Sequence, residues 1–213
     1  MTSSPVFVGC DAGTTLVKAA VVDLEGRILG AASVPSRLRT PRPGVVDQDL
    51  LEIEQQAHRA IAEAVAASGR ASDIRGVSFS SQMAGIGAVG ADFDPVFPFD
   101  SWLDSRCSTD IRELAHAAEQ VTRISGGPPT YSHGTKQRWL KRTQPEAYRA
   151  TAKFQVPGSF LGARLAGLGV EDAYIDSSFL GFSTLADTEA RAWSPELVEL
   201  FGLDIEKQPR IVE

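Results

Sequence analysis

The feature that most constrains the fold is the segment at residues 6–35, VFVGCDAGTTLVKAAVVDLEGRILGAASVP. Three apolar runs are separated there by Gly-Thr-Thr at 13–15 and Asp-Leu-Glu-Gly at 23–26, and this pattern predicts three consecutive β-strands. A glycine between two strands allows a tight turn and lets a ligand approach the backbone closely. We therefore expect a β-meander whose first turn is available for binding.

The first turn also carries a set of polar residues within eight positions, namely Asp11, Gly13, Thr14, Thr15 and Lys18. Consecutive backbone N–H groups and two threonine hydroxyls can hold phosphate oxygens, and a neighbouring carboxylate can hold Mg²⁺ through water. The alternative is an ordinary hairpin with a glycine turn and a strand aspartate, since short motifs also occur by chance. The residues alone leave both interpretations open.

The composition and charge of the chain exclude several classes of protein. It has 213 residues, 43% of them hydrophobic and 23% charged, which is ordinary for one large globular domain or two small ones. The net charge of −6 gives no reason to expect a nucleic-acid or anionic-membrane partner. The apolar run after Met1 is too short for a signal peptide, and no segment reaches membrane-spanning length.

The cysteines and histidines argue against disulfides and against zinc. Cys10 and Cys107 are far apart and lack metal-ligand spacing, so we expect a reduced, cytoplasmic protein. The three histidines, His58, His116 and His133, are isolated from one another. No Ser/His/Asp or Cys/His pair has the proximity that nucleophilic catalysis requires.

Beyond the meander, the pattern predicts helices and further strands. Apolar residues at helical spacing predict a helix from about residue 50 to 68, capped by Asp47 or Asp49. Further strands are predicted at 74–80, 86–89 and 96–99, and further helices near 111–121 with Ser108 or Thr109 as cap, around Trp139, at 157–165 and at 194–201.

This order of elements is typical of an α/β ribonuclease-H-like core, the mixed sheet with flanking helices that actin, hexokinases and the Hsp70 ATPase domain share. In that fold two lobes face each other, with ATP in the cleft between them. A chain with one phosphate-binding turn would correspond to one of the two lobes.

Segment 78–85, SFSSQMAG, places polar residues at the end of a predicted strand. Ligands of open α/β sheets lie at the carboxyl ends of strands, so Ser80, Ser81 and Gln82 are candidates to contact a hydroxylated substrate. The alternative is a serine-rich turn with Met83 packed in the core.

Segment 101–107, SWLDSRC, also follows a predicted strand and supplies Trp102, Asp104 and Arg106. Charged groups can hydrogen-bond sugar hydroxyls and an aromatic ring can stack on the sugar, and these three residues supply both. The alternative is an Asp104–Arg106 ion pair that caps the next helix, with Trp102 in the core. Both interpretations stay open.

Segment 131–142, YSHGTKQRWLKR, begins just after the break Gly-Gly-Pro-Pro at 126–129. Its phenol, Tyr131, could reach a cleft or could simply be half-buried. The predicted helix that follows carries four basic residues, for which the pattern favours a solvated face over an anion site: Lys136, Arg138, Lys141 and Arg142.

With these segments in view, the chain resembles the FGGY family of carbohydrate kinases from about Val6 to Glu213. DAGTTLVK (11–18) is similar to the family's D-x-G-T-[TS]-x-x-[KR] phosphate segment. SQMAG (81–85) and SWLDSRC (101–107) fall where xylulokinases carry Gly-Gln-Met-His-Gly and Trp-Asn-Asp-Gly-Arg.

The later segments follow the same family order. YSHGTKQRWLKR (131–142) is similar to the Tyr-Phe-Ser-Gly-Thr-Lys-x-x-Trp segment of glycerol kinases. DSSFLGFSTLAD (176–187) and WSPELVELFGL (193–203) complete the series. The resemblance therefore covers the family's N-terminal domain and identifies residues 1–213 as that substrate-side domain.

The resemblance implies ATP-dependent phosphorylation of a sugar, polyol or related hydroxylated compound, by in-line attack of a substrate hydroxyl on the γ-phosphate. By position, Asp11 would hold Mg²⁺ through water. The residues that would meet the phosphates of ATP are Gly13, Thr14, Thr15 and Lys18. The residues that would border the substrate are Gln82, Met83, Trp102, Asp104, Arg106 and Tyr131.

The resemblance also implies partners that lie outside this chain. They are a small-molecule substrate, ATP and a nucleotide-side C-terminal domain, with a homodimer as one assembly open to the full-length enzyme. The family's catalytic base is an aspartate in a Gly-Asp segment of that second domain, and no such segment occurs before Glu213. We therefore expect no catalytic base within this chain and no ATP turnover by the chain alone.

One departure from the family pattern concerns the substrate. Ala84 replaces the histidine of xylulokinases, and the Arg-Glu pair of glycerol kinases would fall on Met83 and Ala84. Neither D-xylulose nor glycerol is therefore singled out.

Two other functions stay open. One is a non-catalytic, sugar-binding regulatory lobe of the same fold. The other is a chaperone-type or actin-type ATPase lobe, which would be favoured if Met83, Trp102 and Tyr131 lay far apart.

Overall fold

The structure is a computed structural model, and it describes residues 4–213. Its strands are β1 (Val6–Ala12), β2 (Leu16–Asp23), β3 (Ile28–Pro35), β4 (Asp47–Gln48), β5 (Ile74–Ser81), β6 (Ile86–Val89), β7 (Pro95–Asp100), β8 (Lys153–Gln155), β9 (Tyr174–Asp176), β10 (Ala186–Asp187), β11 (Ala192–Trp193) and β12 (Arg210–Val212). Its α-helices are α1 (Leu50–Ser68), α2 (Ser108–Glu113), α3 (Ala118–Ser125), α4 (His133–Thr143), α5 (Pro145–Ala150), α6 (Pro157–Leu165), α7 (Leu180–Ser183) and α8 (Pro195–Leu200).

The predicted meander is confirmed as three antiparallel strands, and β5 joins β1 in parallel to give the order β3-β2-β1-β5. Alternate residues of β1, Val6, Val8 and Cys10, are buried, because strand side chains point to opposite faces in turn. Phe7 and Asp11 lie on the other face and stay partly exposed. One face of this sheet therefore packs in the core. The opposite face is partly exposed and carries Asp11, next to the candidate phosphate turn.

Helix α1 covers the buried face of the first sheet. Asp49 caps it, because its Oδ1 accepts hydrogen bonds from the N–H groups of Leu51 and Glu52 at 2.9 and 3.3 Å. The helix packs very closely on β3: a Cβ added to Gly30 would lie 2.4 Å from the carbonyl oxygen of Ala64. Only glycine therefore fits where α1 crosses β3.

The second sheet has the order β4-β7-β6-β8, with antiparallel neighbours. It packs in a second apolar core that includes Trp139, Leu140, Tyr148 and Phe201 from the helical half of the chain. Two small pairs complete the strands, β9 parallel to β12 and β10 antiparallel to β11. Strand β7 ends at Asp100, so the SWLDSRC segment leaves this sheet where it meets the first one.

The predicted helix near 111–121 is only partly right. A 3₁₀ turn at Leu114–Ala117 separates α2 from α3. Neither Ser108 nor Thr109 caps α2; the cap position is Cys107, and it makes no side-chain capping bond. Packing rather than a capping residue sets this helix start, since the buried Asp110 receives two hydrogen bonds from Arg142.

Within residues 4–213, no helix combines the length and the apolar character needed to cross a lipid bilayer.

Candidate active site

The turn between β1 and β2 is closed by a hydrogen bond from the N–H of Gly13 to the carbonyl of Leu16, at 3.1 Å. A Cβ on Gly13 would come within 2.8 Å of that carbonyl oxygen and 3.5 Å of Asp11 Oδ2, so the turn requires glycine. Asp11 and Lys18 are direct cross-strand partners and therefore project from the same face. Thr15 is exposed at the tip. The turn thus brings together the Asp11 carboxylate, the Lys18 ammonium group and the exposed Thr15 hydroxyl.

A groove of about 700 Å³ lies beside this turn, on the face of the first sheet opposite α1. Asp11 and Lys18 stand at its rim, and its floor is made of small residues, mainly Gly9, Ala20 and Ala31. Small side chains let a ligand come close to the sheet backbone. The polar turn therefore borders a groove of ligand size.

Asp11 is the residue that could hold a metal ion here. Its Oδ1 accepts a hydrogen bond from Ser80 Oγ at 2.8 Å, and its Oδ2 lies next to Gly13 at the groove. Among the described residues 4–213, no three His, Cys, Asp or Glu side chains form a metal cage. A single carboxylate fits Mg²⁺, which keeps several waters and takes its other ligands from phosphates.

A hydrogen bond joins the phosphate turn to the SWLDSRC segment. Trp102 Nε1 donates to Thr14 Oγ1 at 3.0 Å, across 88 residues of sequence, and Thr14 Oγ1 in turn donates to Gln82 Oε1 at 3.5 Å. Trp102 is 48% exposed, so the alternative that placed it in the core is wrong. The structure therefore brings all three sequence segments, 11–18, 81–85 and 101–107, to one place.

Gln48, in the short strand β4, lies at the centre of this junction. Its side chain is fully buried; Oε1 accepts from Gln82 Nε2 at 2.7 Å, and Nε2 donates to Ser36 Oγ at 2.7 Å. Nε2 also lies 3.4 Å from the carbonyl oxygen of Thr14. No spacing or composition signal marks this glutamine, because its partners are 12 and 34 residues away.

Met83 and Tyr131 stand on the surface near the same junction, exposed by 39% and 40%. The alternative that packed Met83 in the core is therefore wrong. Met83 lines a second groove of about 750 Å³ on the far side of β5, together with Ser80 and Ser81. Tyr131 precedes His133 by two residues, and His133 bonds the carbonyl of Met83. Trp102 is thus linked through Thr14 to Gln82, the neighbour of Met83, and Tyr131 lies two residues before the histidine that contacts Met83.

Asp104 and Arg106 form the ion pair that the sequence allowed as an alternative. Asp104 is fully buried, and its carboxylate accepts from Arg106 Nε at 2.8 Å and from the N–H of Val46 at 2.8 Å. The guanidinium of Arg106 stacks 4.2 Å from the centre of the Trp139 ring. Within residues 4–213, Arg106 Nη2 has no hydrogen-bond partner and lies 3.7 Å from Asp100 Oδ2. The pair does not cap α2.

The prediction of a solvated basic face on α4 is wrong for Lys136, which is fully buried. The other three basic side chains are partly exposed and paired, Arg138 with Glu113, Lys141 with Asp204 and Arg142 with Asp110. The side chains of this helix reach partners on other elements, which its sequence alone does not show.

Burial shifts two titratable groups beside the site. It raises the pKa of Asp100 to about 6, although the Lys136 ammonium opposes that shift. It lowers the pKa of His133 to about 4, so that this imidazole is neutral at physiological pH.

Both cysteines, Cys10 and Cys107, are buried free thiols. Burial raises the pKa of Cys10 to about 11 and also raises the pKa of Cys107, so neither is a reactive thiolate.

Comparison with known proteins matches these segments to a family. Residues 6–213 match the sequence profile described as the FGGY family of carbohydrate kinases, N-terminal domain. A xylulose kinase from Streptomyces rubiginosus is 31% identical over 214 residues, which cover 98% of this chain and 42% of that protein. An autoinducer-2 kinase from Klebsiella pneumoniae is 29% identical over 205 residues, which cover 92% of this chain and 38% of that protein.

A solved structure confirms the predicted fold. The "xyloylose kinase" from Brucella ovis superposes with a TM-score of 0.90 at 28% identity, over 98% of this chain and 42% of that one. The chain has the ribonuclease-H-like architecture of the actin, hexokinase and Hsp70 ATPase group, and it spans about 42% of the length of such relatives. On the match over residues 6–213, the chain belongs to the FGGY family of carbohydrate kinases.

Proposed function

We propose that this chain is the N-terminal, substrate-side lobe of an ATP-dependent carbohydrate kinase of the xylulokinase-like branch. The observation that supports the proposal best is the hydrogen-bonded junction of Trp102, Thr14 and Gln82. It sets a phosphate-type turn directly beside a surface that carries an exposed indole and an exposed thioether. A kinase needs this proximity, since the acceptor hydroxyl must reach the γ-phosphate in line.

On the phosphate side, the turn and its groove fit a nucleotide. The N–H groups around Gly13, the hydroxyls of Thr14 and Thr15 and the Lys18 ammonium would hold phosphate oxygens. Asp11, fixed by Ser80, would hold Mg²⁺ through water. When bound, Mg²⁺ would supply charge neutralisation on the phosphates.

On the substrate side, we assign different roles to the exposed residues and to the buried residues. Met83, Trp102 and Tyr131 would touch the substrate directly, because each exposes more than a third of its surface. Gln82, Asp104 and Arg106 would border it. Gln82 and Asp104 are occupied by bonds within the chain, and Arg106 is occupied by its ion pair with Asp104. We therefore assign these three residues mainly the placement of neighbouring backbone.

The general base and the adenine pocket would come from a second, nucleotide-side lobe. The relatives of this chain extend well beyond the matched region, since it covers only 42% of the Streptomyces rubiginosus protein. We expect the isolated chain not to turn over ATP. A coupled assay that detects sugar-dependent ADP release by the 213 residues alone would contradict this part of the proposal.

The substrate class is tested by a thermal-shift panel of ketoses, polyols and sugar acids, with D-xylulose first because several relatives are named for it. At least one compound should raise the melting temperature of the wild-type chain, and the shift should be lost in Trp102→Ala. The control, Trp193→Phe, lies outside both grooves and should respond like wild type. No response to any compound, in the chain or in its full-length form, would contradict the proposed substrate surface.

The regulatory alternative makes an opposite prediction by calorimetry. A regulatory lobe should bind a sugar tightly without a second lobe, whereas half of an enzyme site should bind it weakly.

A homodimer of the full-length enzyme stays a prediction. The two free, buried thiols support a reducing compartment such as the cytoplasm as its location.

A further inference from the structure

Two polar side chains in the first turns of α4 are buried although they carry donors that water would otherwise satisfy. His133 is 3% exposed and Lys136 is fully buried. They are three residues apart, a spacing that puts both on the same side of the helix. Each sends its donor away from α4 into one of the two segments that form the proposed substrate surface.

Lys136 holds the segment that carries Trp102. Its Nζ donates to Asp100 Oδ1 at 2.8 Å, to the carbonyl of Ser101 at 2.9 Å and to the carbonyl of Asp104 at 3.0 Å. All three ammonium protons are therefore used within five consecutive residues. Residues 101–107 contain neither helix nor strand, so these bonds supply the fixed geometry that regular structure would give elsewhere.

His133 holds the turn that carries Met83. Its Nε2 lies 2.6 Å from the carbonyl oxygen of Met83. A carbonyl oxygen can only accept, so Nε2 bears the proton and the neutral ring is the donor. The bond fixes the backbone of the residue whose side chain is exposed at the second groove.

We propose that His133 and Lys136 are positioning residues: α4 acts as a two-point clamp that fixes the Met83 turn and the Trp102 segment relative to each other on the proposed substrate surface. The assignment of Met83 and Trp102 to the sugar rests on the proposed function. The clamp itself is a statement about the geometry of this chain. It can therefore be tested without any sugar.

The Lys136 arm is tested through the indole N–H signals of the chain's three tryptophans in ¹⁵N-labelled protein. The variant is Asp100→Asn/Lys136→Met, which removes both buried charges together and so avoids an uncompensated carboxylate. We expect the Trp102 indole signal to shift and its hydrogen exchange to speed up by roughly tenfold, the factor that one lost hydrogen bond allows. Trp193, whose Nε1 donates to the carbonyl of Pro209 at 2.7 Å, is the internal reference.

The matched control is Lys141→Met on the same helix, which removes a partly exposed lysine paired with Asp204 and should leave Trp102 unchanged. If the double variant does not fold, Lys136→Arg replaces it, because a planar guanidinium cannot reach the three acceptors together, and the same shift of the Trp102 signal is expected. An unchanged Trp102 signal in a folded variant would overturn this arm.

The His133 arm is read from the methyl signal of Met83, one of two methionines in the chain. His133→Ala should shift and broaden this signal, and His133→Gln, which keeps an N–H donor, should restore most of it. A purely structural histidine would give equal effects in both variants, or a loss of melting temperature with the Met83 signal unmoved. Either result would overturn the clamp. If the Met83 signal shifts but no sugar raises the melting temperature, the result supports the clamp and contradicts the kinase proposal.

Discussion

The two sides of the proposed active site are built in opposite ways. On the phosphate side, the candidate binding residues lie within positions 11–18, and backbone geometry around Gly13 arranges them. On the substrate side, Trp102, Gln82 and Met83 are placed by side-chain bonds that span 88, 34 and 50 residues. A local turn is thus sufficient to arrange the candidate phosphate-binding residues, whereas the arrangement of the candidate substrate residues depends on how two sheets and α4 come together.

This comparison predicts that a substitution on the phosphate side abolishes catalysis. Changing Asp11 to Ala in the proposed full-length enzyme should abolish turnover, because the carboxylate at the groove is lost. Sugar affinity should stay nearly intact, since Met83 and Trp102 are untouched. A coupled ADP assay and a calorimetric sugar titration measure the two quantities, with Glu189→Ala at an exposed turn as control. An equally large loss of sugar affinity would show that the two sides are not separable.

A substitution on the substrate side should instead destabilise the folded chain. Changing Lys136 to Met leaves Asp100 buried without its ammonium partner, and the free energy of unfolding should fall by about 3–5 kcal/mol. Urea unfolding measures it. Lys141→Met should cost less than about 1 kcal/mol, because that pair is partly exposed. The clamp would lose its energetic basis if the two lysine variants were equally stable.

The neutral state of His133 predicts a pH dependence on the same side. Burial lowers its pKa from 6.5 to about 4, so between these values the unfolded chain binds more protons than the folded one. The free energy of unfolding contributed by His133 should therefore rise as the pH increases from 4 to 6.5, by about 3 kcal/mol in total.

The measurement is the difference between wild type and His133→Gln, taken by urea unfolding across this range. Burial raises the pKa of Asp100 to about 6, which gives a contribution of opposite sign that falls as the pH rises. That contribution is present in both proteins and cancels in the difference. A flat difference would show that His133 is not a buried neutral donor.

The smallest effect concerns the bond that joins the two sides. A double-mutant cycle with Thr14→Val and Trp102→Phe removes the hydroxyl and the indole donor in turn, and their coupling in unfolding free energy should be about 1 kcal/mol. The matched cycle with Thr15→Val should give a coupling near zero, because Thr15 is the exposed neighbour in the same turn. Equal couplings would mean that Trp102 is not tied specifically to Thr14.

The sequence predicts the locally built parts of this molecule well. The meander follows from alternating apolar residues, and α1 follows from the 3.6-residue period that buries Leu50, Ile53 and Ala57. Asp49 is a capping residue next to the first apolar position, so the start of α1 is also readable. The segments that form the cleft are recognisable because each follows a strand.

The sequence does not reveal which polar residues are structural. Lys136 and Gln48 look like surface residues, and only partners 36 and 34 residues away explain their burial. For Asp104 the sequence allowed the pairing with Arg106 but not the hydrogen bond from the N–H of Val46, which lies 58 residues away. Such long-range pairs carry no periodic signal, because each depends on the docking of separate elements.

The small-residue floor of the first groove has a practical consequence. A Cβ added to Gly9 would meet no atom within 4 Å, so a larger β-branched side chain there would stand in open space and leave the packed interior untouched. Gly9→Val should therefore yield a well-folded variant in which the groove proposed for the nucleotide is blocked. In living cells, such a variant would compete with the unchanged protein. An effect that requires an occupied groove would then be lost, whereas an effect that requires only the polypeptide would persist.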